Sequence, residues 1–271
     1  MSVRLFEGKE HALYYWKYRI SPSQDIINKI LNFLQKHRSP PFGLAVDVGC
    51  GSGQGTVLLG PHFSEVVGTD VSPAQLNMAM QHSTAHNITY RECPAEQLPL
   101  ENATVDLVTT MSAFHWFDHP RFLKEADRVL KPQGCLAMLN YTMDMELSYG
   151  DCSEALKYIC KELYAALMPY RNSYLGASSL DLYKKAYDTL QYPVKEWHEN
   201  LWVRKTLPLS SYIGMIESFS NYQAMLREDP EKAKQLSQDT TERLLKAMGV
   251  TSPDTEVLLS VRYYCLLTCK P

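Results

Sequence analysis

Residues 46–55 read Val-Asp-Val-Gly-Cys-Gly-Ser-Gly-Gln-Gly, and this stretch decides the fold. It continues a short β-rich run that begins at Leu44 and contains one acidic residue, Asp47. Closely spaced glycines let the backbone turn tightly after a strand and approach a ligand without interference from a Cβ atom. The stretch therefore predicts either a ligand-binding loop after the first strand of an α/β fold or a glycine-rich turn without a ligand.

The glycine spacing excludes two common phosphate-binding loops. In the dinucleotide fingerprint G-x-G-x-x-G, the third glycine would fall on Gln54, Thr56 or Leu58, depending on the starting glycine. A P-loop is excluded because no Lys-Ser or Lys-Thr pair follows the glycines. The Asp47 carboxylate is a poor neighbour for a pyrophosphate, but it suits a ligand with an ammonium group or hydroxyl groups. A hydride-transferring dehydrogenase is therefore disfavoured.

Strands and helices alternate five times before residue 142. Predicted strands lie at residues 44–48, 66–70, 88–92, 105–111 and 135–141, and predicted helices lie at residues 22–37, after the glycine loop, from residue 72 and at residues 122–130. This alternation is typical of a parallel sheet that is covered by helices on both faces. We predict a doubly wound, mostly parallel, seven-stranded sheet of the Rossmann-like kind.

The sequence after residue 142 has a different pattern. It is mainly helical to about Glu199, then predicts a strand at residues 201–206, more helix to Gly249 and a strand at residues 257–269. Because the last strand must return to the first sheet, we predict a single domain with a helical lid inserted before that strand. The predicted regions are N-terminal cap helices (residues 1–38), a ligand-binding core (residues 40–141), a lid or substrate region (residues 142–253) and a closing strand (residues 256–271).

Asp70 stands at the end of the second predicted strand. In doubly wound folds, an acid at this place accepts hydrogen bonds from the hydroxyls of a ribose. The alternative role is the N-cap of the next helix, although Ser72 is better placed for it. Together with the glycine loop, Asp70 favours a ligand that contains a nucleoside.

Residues 40 to 141 resemble the nucleoside half of class I S-adenosylmethionine-dependent methyltransferases. The motifs that carry the resemblance are Asp47 with the glycine loop, Asp70, residues 95–100 (Ala-Glu-Gln-Leu-Pro-Leu), residues 105–117 and residues 128–134 (Arg-Val-Leu-Lys-Pro-Gln-Gly). Pro94 stands where many members have an aspartate. The resemblance implies a Rossmann-like methyltransferase fold, S-adenosylmethionine as the cofactor and S-adenosylhomocysteine as its product.

The same resemblance implies which residues bind the cofactor. The glycine loop would face the methionine end, Asp70 would hold the ribose, and the segment from Ala95 would lie beside the adenine. The implied cofactor-binding residues are Tyr15, Arg19, Asp47, Gly49, Gly51, Gly53, Asp70, Val71, Ala95, Glu96 and Ser112.

Two further segments resemble the trans-aconitate methyltransferase branch, whose members methylate carboxylates of small acids. They are His115-Trp-Phe after the fourth strand and Tyr15-Trp-Lys-Tyr-Arg19 near the N-terminus, with Ile20 in place of a proline. In such relatives the N-terminal segment folds over the cofactor, where its tyrosine and arginine meet the methionine carboxylate. The alternative for Tyr15 and Arg19 is a surface helix with core aromatic residues.

Methyl transfer from a sulfonium is an in-line displacement, so the enzyme mainly aligns the acceptor and excludes water. A carboxylate acceptor is ionised at neutral pH and needs no general base, whereas an amine or a phenol gains from one. His115 is the candidate catalytic residue. Its side chain would act as a general base, form a hydrogen bond with the substrate, or only orient Trp116.

Trp116 and Tyr222 are the predicted substrate-binding residues. Trp116 would pack over the substrate or the adenine, with plain core packing as the alternative. Tyr222 lies with Ser220 and Asn221 in the lid, where relatives shape their acceptor pocket. An acidic substrate would need an arginine clamp, for which the candidates are Arg19, Arg171, Arg204 and Arg262.

Charge and composition limit the partners. The chain has 27 basic and 30 acidic residues, and its net charge of −3 gives no attraction to nucleic acid or to anionic membranes. No stretch approaches the roughly 20 apolar residues of a membrane helix, and no targeting segment is visible. We expect a cytoplasmic protein without a metal that acts on a small molecule; a monomer is compatible, and the oligomeric state stays open. The alternatives are methylation of a macromolecule and cofactor binding without turnover.

Overall fold

A computed structural model describes Phe6, residues 8–175 and residues 178–271. The strands are β1 (Phe42–Val48), β2 (Phe63–Asp70), β3 (Ile88–Glu92), β4 (Val105–Met111), β5 (Leu130–Tyr141), β6 (Glu146–Ser148), β7 (Val194–Pro208) and β8 (Glu256–Cys269). The α-helices are α1 (Lys9–Tyr18), α2 (Gln24–Gln35), α3 (Pro73–His82), α4 (His119–Val129), α5 (Ser153–Leu167), α6 (Ser179–Thr189), α7 (Leu209–Glu217), α8 (Ser220–Glu228) and α9 (Pro230–Met248).

The strands form one sheet in the order β3-β2-β1-β4-β5-β8, with β7 on the far side of β8. Strands β1 to β5 are parallel, and β8 is antiparallel to β5, β6 and β7. The predicted doubly wound, mostly parallel fold is confirmed. The described residues form eight strands rather than the predicted seven, because the short β6 pairs with Leu258–Ser260 of β8.

Side chains of β1 and β4 alternate between two hydrophobic layers. Ala45 and Leu107 pack in the layer that contains α2, whereas Val46 and Val108 pack in the layer that contains α4. Parallel strands that are buried on both faces need apolar side chains pointing both ways, which explains the nearly continuous apolar sequence of β1. The order of the parallel strands brings the carboxyl ends of β1, β2 and β4 to one edge of the sheet, where ligands bind in such folds.

Helix α3 begins as predicted. The Ser72 hydroxyl accepts a hydrogen bond from the Gln75 amide at 3.3 Å, and Pro73 follows in the first helical position. The helical stretch predicted directly after the glycine loop is not an α-helix. Only the 3-10 turns Thr56–Leu58 and Gly60–His62 form there, since Pro61 has no backbone N–H to continue an α-helix.

The prediction of helix up to residue 199 is also wrong, because β7 already begins at Val194. This strand pairs with β8 from Val194 to Pro208, with an irregularity between His198 and Leu201. Asn200 in that gap has a positive φ of 60°. A bulge of this kind breaks the strict apolar–polar alternation by which a strand is recognised in sequence.

We call helices α5 to α9 the helical layer; α5, α7, α8 and α9 contribute to the hydrophobic cluster that contains α2, and α6 contributes to the cluster that contains α4. Helix α9 packs against α5, α7 and α8, and α7 contacts α1 near the N-terminus. Within the described part of the chain, no helix combines the length and the apolar character needed to cross a membrane. The proposed boundaries of the four regions stay predictions.

Candidate active site

The three loop glycines all have positive φ, but they meet different surroundings. A Cβ atom at Gly49 would lie 2.5 Å from the Ala113 Cβ, and one at Gly53 would lie 2.5 Å from the Tyr90 hydroxyl. At Gly51 the nearest atom would be Tyr15 Cε1, at 3.6 Å. Gly49 and Gly53 therefore let the loop pack closely on the protein, whereas Gly51 has room above it, below the Tyr15 ring.

Asp70 holds the loop in place. One carboxylate oxygen accepts from the Gly51 amide and the other from the Ser72 amide, each at 2.9 Å. Burial raises the pKa of Asp70 despite these hydrogen bonds, and the two amides orient the carboxylate at the end of β2. The residue thus both stabilises the loop and lines a cavity at the edge of the sheet.

We call this cavity the Asp70 cavity. Its walls are mostly apolar, and Glu96 stands at its rim, where its carboxylate accepts from the Asp118 amide at 2.8 Å. The lining residues are Phe6, Gly49, Asp70, Val71, Cys93, Ala95, Glu96, Ala113, Trp116 and Phe117. A carboxylate beside a flat apolar space suits a ribose joined to a base.

A second cavity, the Ser52 cavity, lies on the other side of the loop. The Ser52 hydroxyl is buried and has no hydrogen-bond partner among the described residues. Asp47 also reaches this cavity, but its two oxygens accept from the Thr56 hydroxyl at 2.6 Å and the Thr109 hydroxyl at 2.9 Å. Burial raises the Asp47 pKa to about 6. Because both oxygens already have hydroxyl partners, this carboxylate mainly links the end of the loop to β4.

Arg19 forms a wall of the Ser52 cavity. Its Nε donates to the Ser218 hydroxyl at 2.9 Å, and another guanidinium nitrogen donates to the Tyr141 hydroxyl. The rings of Tyr15 and Phe219 cover the guanidinium, each with its centroid at 4.5 Å. Contacts with α7, β5 and α1 therefore fix the guanidinium in position before a ligand binds.

The third cavity, the His115 cavity, reaches into the helical layer. Its lining residues are Phe6, Tyr15, Arg19, Ser112, His115, Trp116, Asn140, Tyr141, Met143, Arg171, Leu175, Ser179, Phe219, Ser220 and Asn221. None of these described lining residues is an aspartate or a glutamate. Tyr15, Arg19, Ser112 and Tyr141 also line the Ser52 cavity, so these four mark the boundary between the two spaces.

His115 is buried, and this burial together with the charges of Arg171 and Arg19 lowers its pKa to about 3. The imidazole is therefore neutral at pH 7. Its Nδ1 lies 3.4 Å from the amide nitrogen of Asn140, which also donates to the Tyr264 hydroxyl at 3.1 Å. The side chain at this wall is thus an uncharged, hydrogen-bonded ring.

Ser112 stands at the end of β4 with a positive φ of 62°. For a residue other than glycine this backbone conformation costs about 1 kcal/mol, and it is found most often at functional sites. The Ser112 amide donates to the Leu139 carbonyl at 2.8 Å, which holds the strained residue at the boundary of the two cavities.

The structure brings together most of the predicted site residues. Trp116 lines both the Asp70 cavity and the His115 cavity, with its ring edge-on to Phe6 at 6.1 Å. Tyr222 does not line any of the three cavities: it is buried, and its hydroxyl donates to the Ala233 carbonyl at 3.2 Å in the contact between α8 and α9. Its neighbours in sequence, Ser220 and Asn221, line the His115 cavity instead.

Two of the four candidate arginines lie in the site. Arg171 lines the His115 cavity, and its guanidinium donates to the Ser179 hydroxyl at 3.1 Å. Arg204 is exposed on β7, and Arg262 pairs with Asp144 at 2.7 Å. Only Arg19 and Arg171 are therefore placed to meet a ligand in this cavity.

Sequence analysis did not single out Ser52 or Asn140 as lining residues. Ser52 lies inside the glycine loop, and Asn140 lies near the carboxyl end of β5, so their positions were visible in the sequence. The missing signal was tertiary: whether a loop hydroxyl lacks a partner, or which side chain an amide meets, depends on segments far away in the chain. Among the described residues, no group of three or more potential metal ligands comes together.

Comparisons with known proteins agree with this geometry. A family model described as a methyltransferase domain matches residues 46–138, which run from the glycine loop into β5. A Dictyostelium discoideum protein named as a methyltransferase is 26% identical over 246 residues, which cover 90% of this chain and 88% of that protein. A Saccharomyces cerevisiae protein named as an S-adenosylmethionine-dependent methyltransferase is 25% identical over 245 residues, or 82% of each chain. This chain is an S-adenosylmethionine-dependent methyltransferase.

The fold of this methyltransferase also matches a solved structure. An Anaeromyxobacter dehalogenans protein described as a type II methyltransferase superposes with a TM-score of 0.72 at 24% identity, covering 93% of this chain and 98% of that one. The match extends through the helical layer as well as the sheet. The whole architecture, including the strands after residue 142, is therefore that of a methyltransferase.

The chemistry of the cavities fits the cofactor, S-adenosylmethionine. The Asp70 cavity offers a carboxylate and apolar walls for the adenosine part. The Ser52 cavity offers an unpaired buried hydroxyl and the Arg19 guanidinium, which are donors for the carboxylate of an amino acid. Gly49 lines both spaces, so one ligand can pass over the loop from one to the other.

Proposed function

We propose that the methyltransferase transfers the methyl group to a carboxylate oxygen of a small acid. The observation that carries this proposal is the pair of arginines, Arg19 and Arg171, in a His115 cavity whose described walls contain no acidic side chain. A cavity with this charge attracts an anion and disfavours an ammonium group. Guanidinium groups also match the two oxygens of a carboxylate in geometry.

The state of His115 supports the same acceptor class. With its pKa lowered to about 3, the ring is already neutral at pH 7, but protonating it in this buried, positively charged surrounding is unfavourable. It is therefore a poor general base for an amine or a phenol. A carboxylate needs no base: its oxygen forms the new C–O bond while the C–S bond breaks, and the electron pair leaves with the sulfur without any proton transfer.

The roles of the cofactor-binding residues form part of the proposal. When bound, S-adenosylmethionine supplies a methyl group on a positively charged sulfur. Asp70 accepts from the ribose hydroxyls, and the Arg19 guanidinium with the Ser52 hydroxyl holds the methionine end. The remaining contacts come from the predicted residues at the three cavities, namely Tyr15, Asp47, Gly49, Val71, Ala95, Glu96 and Ser112. Gly51 lies below the Tyr15 ring and lines none of these cavities. Gly53 acts through the shape of the loop.

The acceptor side supports membership of the trans-aconitate-like branch. Arg171 would bind the acceptor carboxylate, while Trp116 and Phe6 cover the space between the Asp70 cavity and the His115 cavity. A cavity covered by side chains in this way favours a small molecule over a macromolecular acceptor. A cytoplasmic location and the lack of nucleic-acid and membrane partners stay predictions, and the oligomeric state stays open.

The test is release of S-adenosylhomocysteine by the purified protein with panels of small carboxylic acids, amines and phenols. We expect turnover with acids alone. Turnover with amines or phenols alone would contradict the proposed acceptor while leaving the methyltransferase class intact. Cofactor binding without turnover on the whole panel would favour a macromolecular acceptor or a binding role without catalysis.

A further inference from the structure

Asn140 lies near the carboxyl end of β5, next to the cavity-lining ring of His115, and both side chains are buried. The amide nitrogen of Asn140 is 3.4 Å from Nδ1 of His115. An amide nitrogen can only donate a hydrogen bond, so Nδ1 must be the acceptor in this pair. In a neutral imidazole the other nitrogen, Nε2, then carries the proton.

The surroundings keep the ring in this single state. The charged groups near His115 are Arg171 and Arg19, with His119 as a further titratable neighbour. The first two disfavour a second proton on the ring, and the Tyr264 hydroxyl accepts a second hydrogen bond from the Asn140 amide, at 3.1 Å. Both hydrogens of the amide thus have a partner, one on the ring and one on the Tyr264 hydroxyl.

We propose that Asn140 is a positioning residue that fixes the ring proton of His115 on Nε2, so that the ring donates a hydrogen bond to the acceptor carboxylate. The role rests on the proposed function, since a donor helps an anionic acceptor but not a group that must lose a proton. One carboxylate oxygen is held by the Nε2–H group, and the other is left to attack the methyl carbon. The opposite tautomer would offer a lone pair and repel both oxygens.

The first measurement determines the tautomer in the wild-type protein. Long-range ¹H–¹⁵N correlation spectra of the full chain at pH 7 report which imidazole nitrogen carries the proton, and loss of one signal in His115→Gln assigns the ring. We expect protonated Nε2 in the wild-type protein. In Asn140→Asp, a carboxylate of the same shape accepts from the ring, so the proton should move to Nδ1.

Tyr264→Phe is the matched control, because it removes the other partner of the same amide and leaves the contact with His115. We expect an unchanged tautomer in this variant. For Asn140→Asp we also expect kcat/KM for the acid acceptor to fall about 100-fold, with unchanged affinity for S-adenosylhomocysteine. A purely structural role for Asn140 would not move the ring proton.

The outcomes separate the two proposals. If acids are turned over but the wild-type ring carries its proton on Nδ1, the proposed function stands and the role of Asn140 is overturned. The same conclusion follows if Asn140→Asp moves the proton and leaves kcat/KM for the acid unchanged. If the wild-type protein turns over no acid, the proposed function fails whatever the spectrum shows, and the positioning role fails with it.

Discussion

The Asp70 cavity and the His115 cavity differ in how far apart their lining residues lie in the sequence. Apart from Phe6, the residues of the Asp70 cavity fall between Gly49 and Phe117, after consecutive strands of the sheet. The His115 cavity collects side chains from Phe6 to Asn221, and they come from α1, the ends of β4 and β5, and the helical layer. The first is therefore recognisable from local motifs, whereas the second exists only when distant segments meet.

The largest effect is expected for Gly49→Ala, which changes the Asp70 cavity. A Cβ there meets Ala113 at 2.5 Å and Phe117 Cζ at 2.9 Å, in addition to the strain of a φ of +70°. We expect the free energy of unfolding to fall by about 3 kcal/mol from strain and overpacking, with loss of cofactor binding. Chemical denaturation and calorimetric titration with S-adenosylhomocysteine measure both.

Gly249→Ala is the matched control, because Gly249 has nearly the same φ, +67°, and nothing within 4 Å of an added Cβ. It should cost only the backbone strain, about 1 kcal/mol, and leave cofactor binding unchanged. Equal losses of stability in the two variants would show that the packing of the loop against the segment after β4 is unimportant.

The next largest effect is expected for Arg171→Met, which tests the His115 cavity. Loss of the guanidinium should reduce kcat/KM for an acid by about 30-fold, or about 2 kcal/mol, without changing cofactor affinity. Arg19→Met should lower both kcat/KM for the acid and the affinity for the cofactor, since Arg19 lines both the Ser52 and the His115 cavities. Arg204→Met, on the exposed face of β7, should change neither. An effect of Arg171→Met on cofactor binding alone would refute its assignment to the acceptor.

His115→Gln tests the environment of the buried ring through the pH dependence of the free energy of unfolding. The folded-state pKa of about 3 lies below the ordinary 6.5, so the unfolded chain binds a proton that the folded protein excludes. Above pH 6.5 neither state binds this proton, so the ring does not reduce stability. As the pH falls below 6.5, protonation of the unfolded chain lowers the free energy of unfolding. Relative to His115→Gln, the wild-type protein should lose about 1.4 kcal/mol between pH 7.5 and pH 5.5.

Subtracting the two stability curves cancels the opposite effect of Asp47. The pKa of that residue is raised to about 6, so protonation favours the folded protein as the pH falls. Denaturant titrations of both proteins at each pH provide the measurement. Parallel curves would mean that the ring of His115 is solvated and free to accept a proton.

The smallest effect is expected for Tyr174→Phe. The Tyr174 hydroxyl donates to the Phe117 carbonyl at 2.7 Å and so links the turn that carries Leu175 to the segment after β4. Its loss should raise KM for the acid about threefold, or ~0.7 kcal/mol, and leave the cofactor untouched. An unchanged KM would show that this turn does not help to close the His115 cavity.

The sequence predicted the sheet better than the cavities. Strands β3 and β4 begin and end where they were predicted. Strand β4 is buried on both faces and leaves a clear apolar signal, whereas β3 lies at the edge of the sheet and is mostly exposed. The three residues of β6 are too few to produce a pattern, and the bulge in β7 hides its alternation. For these elements, pairing with β8 determines the structure, and that pairing is not a local property.

For the candidate site the same limit applies residue by residue. The glycine loop and Asp70 lie where the motif predicted, since their spacing follows from the order of β1 and β2. Tyr222 shows the opposite case: it lies on a helix, where a residue can face inward or outward, and its ring packs between α8 and α9. The pairing of Arg19 with Tyr141 joins segments that no sequence pattern connects.

Strand β8 has a consequence for how the chain is made. Translation completes the five parallel strands well before residues 256–269 leave the ribosome, yet β8 supplies the partner for both β5 and β7. Until β8 pairs with β5, the backbone donors and acceptors along that edge of β5 are unpaired and can pair with a strand of another chain. The delay before β5 is paired is long because Cys135 pairs with Cys269, which lies far along the chain. A nascent chain with such an edge is a natural client for a chaperone, and overexpression without one should favour aggregation.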